Sequence, residues 1–101
     1  MDIETIRVFS QSLAKIVFED NLSINDELRG TEQPKVGGWN PAFIVPVAEE
    51  AVRILKEKGF NFLSARGQEF QRALIERHNN PQAFGYGTED VDGLDEIISD
   101  M

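Results

Sequence analysis

Cysteine is absent from the sequence, histidine, tryptophan and tyrosine occur once each, and no apolar run approaches the roughly 18 residues needed to cross a bilayer. Without cysteine the fold cannot rest on disulfides, and thiolate nucleophiles and cysteine-based metal sites are excluded. The single histidine, His78, has no Ser, Cys or metal-ligating partner at a recognisable spacing, so its expected role is a favourable interaction with a helix C-terminus. The opening Met1-Asp2-Ile3-Glu4 is acidic where a secretory leader would be basic. A cytoplasmic protein without a membrane segment is therefore expected. Clusters of Lys and Arg are lacking too, and direct binding to nucleic acid, which needs them, is not expected.

What is present suits one small domain: 101 residues, 41% of them hydrophobic and 28% charged, enough to close a modest core. The net charge of −8 is unevenly placed. Residues 1–88 carry twelve acids and ten bases, whereas residues 89–101 carry six acids and no base. Acidity is thus a property of the C-terminal tail.

Hydrophobic spacing predicts a mainly α fold, a small bundle of three principal amphipathic helices over about 2–19, 46–58 and 64–78. A short helix near 23–29 follows from Ser23 and Asp26 as capping residues and Gly30 as a stop. In the first helix Ile3, Ile6, Phe9, Leu13, Ile16 and Val17 share one face spanning about 140°, leaving Val8 and Phe18 pointing elsewhere. The second carries a stripe of Val47, Ala48, Ala51, Val52, Ile54 and Leu55, with Glu49 and Arg53 four apart in the favourable order. Its start is ambiguous: Asn40-Pro41 has the order of a helix N-terminus, yet Pro46 cannot donate within an interior turn. Gly59 is its expected left-handed stop, with Phe60 packing back on Leu55. An α+β alternative places a minor strand pair at 43–46 and 60–63. The third principal helix turns Phe70, Ala73, Leu74 and the stem of Arg77 inward.

Residues 1–84 form the expected helical domain, and Gly85 and Gly87 joint it to an acidic amphipathic tail, 85–101. There Leu94, Ile97, Ile98 and Met101 recur at i, i+3, i+4 and i+7 with acids such as Asp95 and Glu96 between them. A helix this short is marginal alone and gains stability by docking, on its own domain, on a second copy or on another protein.

No motif assigns chemistry. Asp90-Val91-Asp92-Gly93 fails as a calcium loop: with Gly93 at the sixth position, Thr88 and Ser99 fall where acidic ligands are required. Lys35-Val36-Gly37-Gly38 lacks the spacing of a phosphate-binding loop and reads as a plain turn. Trp39, beside that turn, is a candidate contact residue because tryptophan is enriched at binding hot spots.

The expected function is therefore a non-catalytic protein-interaction or regulatory/accessory module, with no cofactor and no metal, whose partner is another protein or a second copy. Its candidate partner-binding residues are Trp39, Val8, Phe18, Leu94, Ile97, Ile98, Met101, Asp95 and Glu96. Two alternatives stand beside it. One is an acidic nucleic-acid mimic that inhibits a DNA-binding protein, against which the balanced charge of residues 1–88 weighs. The other is a small enzyme or anion-binding protein with dispersed acidic residues.

Overall fold

The computed structural model describes residues 3–19, 23–25, 27–28 and 43–101. Within them lie four α-helices: α1 (Ile3–Phe18), α2 (Ile44–Glu57), α3 (Ala65–Asn79) and α4 (Leu94–Asp100). Ile24, Asn25, Glu27 and Leu28 are also helical, and two 3-10 turns, Pro81–Phe84 and Thr88–Val91, link α3 to α4. The described residues contain no strand, so the mainly α reading holds and the strand pair at 43–46 and 60–63 does not form. No helix among them is long and apolar enough to cross a membrane.

The reason for the lost strand lies in Pro46. α2 begins at Ile44, two residues earlier than the spacing predicts, which puts Pro46 in the first turn. Backbone N–H groups there have no acceptor within the helix, so proline costs nothing at that position. The other end follows the expected stop. Gly59 has φ 72°, Gly59 N–H donates to the carbonyl of Lys56 at 3.1 Å, and Phe60 N–H reaches that of Leu55 at 3.0 Å. Those are the two bonds of a Schellman ending, and they consume the 60–63 segment as a turn. Ser64 then caps α3, its hydroxyl accepting from Gly67 N–H at 3.1 Å.

α1 and α2 run in the same direction. Arg7 lies near Glu50 toward one end of the pair, and Phe18 meets Phe60 at the other. Arg66, in the first turn of α3, closes the end of α1: its guanidinium donates to the carbonyls of Val17, at 3.2 Å, and Ile16. A cation at a helix C-terminus both satisfies orphan carbonyls and opposes the macrodipole.

One core joins all the elements. Leu13 and Val17 of α1, Ile44, Val47 and Leu55 of α2, Phe70 and Leu74 of α3, and Leu94 of α4 are fully buried, as are Ile24 and Leu28. The short helical segment is tied down on both sides, by Ser12 Oγ donating to Glu27 at 3.1 Å and by Arg77 donating to Asn25 Oδ1 at 3.0 Å. Arg77 is buried with its head as well as its stem, bonded to the Ala73 carbonyl and stacked 4.4 Å over the Phe84 ring.

Three local expectations are corrected. Ile3 is 73% exposed, because the buried arc of α1 centres on Ser10, Leu13, Ala14 and Val17 and the first turn lies at its edge; Ser10 enters the core by donating to the Arg7 carbonyl. Ile54 is only partly buried. Arg53 pairs with Glu50 and Glu57 rather than with Glu49, since those two carboxylates bracket it on the same side of α2, one turn either way.

Candidate functional site

A groove of about 700 Å³ lies between α1 and α2. α1 lines it with Arg7, Gln11, Ala14, Lys15 and Phe18, followed by Glu19 just past its end, and α2 with Glu50, Arg53, Ile54 and Glu57, Lys58 closing the α2 wall. The spacing 7, 11, 14, 18 is one helical stripe, and 50, 53 or 54, 57 is another, so two parallel helices present facing rows. Small and apolar side chains, Ala14, Ile54 and Phe18, make the floor; charged side chains make the walls.

Phe18 is 50% exposed. Its ring packs on Phe60 at a centroid distance of 5.7 Å, and Phe60 in turn meets Phe62 edge to face at 5.1 Å. Edge and tilted packing of this kind holds a ring in place beyond its area burial. Phe18 is therefore anchored on one side and open on the other. Across the groove, Arg53 donates from Nε to Glu50 at 2.8 Å and also binds Glu57. The hydrogen bond from Arg53 holds the Glu50 carboxyl below its ordinary value, and the same pairing raises Arg53.

The other expected contact residues are dispersed. Val8 is 51% exposed but stands outside the groove lining. Trp39 lies outside the described residues, as do Asn40-Pro41 and the Gly37-Gly38 turn. In the tail, Leu94 and Ile97 are buried in the core and Ile98 and Met101 are partly buried against it, so the dock this stripe needs is supplied by its own domain. Asp95 and Glu96 remain exposed. The helix is held by Lys56 pairing with Asp100 at 2.7 Å and by Gln71 donating to the Ile98 carbonyl at 3.3 Å. Tyr86, between the two glycines expected to form a joint, is itself buried, its N–H bonded to the Pro81 carbonyl at 3.0 Å.

Two features of chemical interest have structural employment. Asp90 accepts from Gly87 N–H at 2.9 Å and shapes the second 3-10 turn. His78 stands in the last turn of α3 with Nδ1 3.4 Å from Asn79 Oδ1. A smaller groove between α2 and α4 gathers Glu49, Glu96 and Asp100, yet no group of three or more potential ligands among the described residues could hold a metal ion.

The α1–α2 groove was partly hidden in the sequence. The surplus Phe18 pointed to α1, but Arg7, Lys15, Arg53 and Lys58 read as ordinary surface charges until the two helices were placed side by side. No protein-family model matches the chain, and no curated protein or solved structure is significantly similar to it.

Proposed function

We propose that this chain is a non-catalytic protein-interaction module, regulatory or accessory in role, that receives its partner on the surface shared by α1 and α2. The observation that carries this reading is Phe18: a large aromatic, half exposed, held in position by Phe60 at the end of an apolar-floored groove. Aromatic anchors that are rigid before binding lose little entropy on binding and dominate interface energetics. The lining offers no hydroxyl, imidazole or thiol, which favours recognition over Ser-, Thr- or Cys-type nucleophilic chemistry. Asp95 and Glu96, exposed on the docked α4, add an acidic field that steers encounter rather than an apolar handle.

The test compares wild type with Phe18→Asp in affinity capture from the native host, with circular dichroism confirming that the variant is folded. Loss of a specific partner with the variant supports the reading. Capture unaffected by Phe18→Asp, or no specific capture by wild type, overturns it.

A further inference from the structure

Lys15 on one wall and Lys58 on the other flank Phe18, and neither makes an ion pair within the described residues. Both also sit where the helix dipole favours a cation; the bearing on a ligand comes from their position about a half-exposed ring. The acids on the facing wall are already occupied, since Arg53 binds both Glu50 and Glu57. At the far end Arg7 supplies a third cation, about 12 Å from Lys15 along α1, in an exposed pairing with Glu4 and within the field of Glu50. Four of the chain's ten basic residues thus line this one groove, in a protein of net charge −8; with Arg53 engaged by Glu50 and Glu57, Arg7, Lys15 and Lys58 stand against one further acid of the lining, Glu19. The α2–α4 groove has none in its lining, and a third, beside Leu63 and Ile75, has Arg72 alone.

We infer that the occupant of the α1–α2 groove is a short amphipathic helix of a partner protein, apolar along the face it inserts and carrying carboxylates on its flanks. This rests on the reading of the chain as a protein-binding module and names the chemistry of its partner. The row from Arg7 to Phe18 is about 16 Å long, room for about three helical turns. An apolar side chain of the guest packs beside Phe18 over Ile54 and Ala14; carboxylates next to it meet Lys15 and Lys58, and one about two turns away meets Arg7. A basic guest would place like charges against two unpaired ammonium groups, which is the repulsive half of the selectivity. A second copy of this chain is a poorer guest, because its acidic apolar helix, α4, has Leu94 and Ile97 buried.

The experiment is selection of a displayed library of random helical peptides, about eleven residues long to match the groove, on the intact protein, followed by affinity measurement of the enriched sequences. The inference expects enriched peptides with an apolar face and acidic flanks. Their affinity should fall about tenfold or more with Lys15→Glu/Lys58→Glu, should weaken with salt, and should be unchanged by Leu63→Ser, at a residue that lines a different groove. Lys15→Gln/Lys58→Gln, which removes the charge without reversing it, should give a smaller loss in the same direction. Enriched peptides that are neutral or basic, or that ignore the lysine variants, overturn the inference while leaving the protein-binding reading intact. Groove-dependent self-association in sedimentation, abolished by Phe18→Asp, would replace the guest with a second copy. Failure to enrich any binder overturns both.

Discussion

Gly67 and Phe62 touch where no side chain fits between them: a Cβ added at Gly67 would stand 2.3 Å from the Phe62 carbonyl oxygen and 2.5 Å from its Cα. The turn after α2 lies directly on the first turns of α3, and the glycine is what permits it.

Gly67→Ala is therefore expected to destabilise, although alanine is the better helix former by about 1 kcal/mol. Backbone atoms cannot yield as a flexible side-chain tip would, and overpacking of this kind costs about 1–3 kcal/mol. Gly59→Ala makes a useful contrast. That position has open space but φ 72°, so its cost is conformational alone, about 1–2 kcal/mol, and Gly59→Asn should cost less. Urea denaturation of the three variants separates the two causes.

Arg66 spans from α3 to the last carbonyls of α1 with its side chain only 13% exposed. Removing it as Arg66→Ala should cost about 1.5–3 kcal/mol, the usual worth of hydrogen bonds to a charged group. Arg66→Lys should recover only part, because an ammonium lacks the planar fork that reaches two carbonyls. Amide hydrogen exchange should show α1 fraying first at residues 15–18.

Truncation after Gly87 tests whether the acidic tail is an appendage or part of the fold. It removes Val91, Leu94 and Ile97, all buried, each contributing about 1.5–3 kcal/mol on burial. Domains are stable by only about 5–15 kcal/mol in total. The truncated chain should lose its cooperative thermal transition, whereas Asp95→Asn/Glu96→Gln should keep it.

The Glu50–Arg53 pair gives a pH signature. Arg53 holds the Glu50 carboxyl below its ordinary value, so the pair stabilises the fold above the usual carboxylate range. That contribution is lost as pH falls through the depressed value. Both side chains are a third or more exposed, so the effect is small and screened by salt. The melting temperature of Glu50→Gln should lie below that of wild type at pH 7 and converge with it in acid or in 1 M NaCl. A constant offset across pH would assign the difference to packing instead.

Much of this molecule is local physics and can be read along the chain. The helices follow from apolar spacing, the end of α2 from Gly59 and Phe60, and the start of α3 from Ser64, because each depends on neighbours within a turn or two. The acidic bias of the tail and the stripe within it are likewise plain. Position in space is what the linear order could not supply. Pro46 looked like a barrier until the helix began early enough to make its missing N–H harmless. Leu94 and Ile97 could have met any apolar surface, and the nearest was the one formed by α2 and α3. Arg53 had carboxylates on both sides, and side-chain direction chose Glu50 and Glu57 over Glu49. The groove exists only because α1 and α2, separated by a long connection, lie parallel and bring two unremarkable rows of surface residues face to face. Sequence determined which surfaces needed burial; tertiary packing decided which of them were satisfied within the chain and left Phe18 half open.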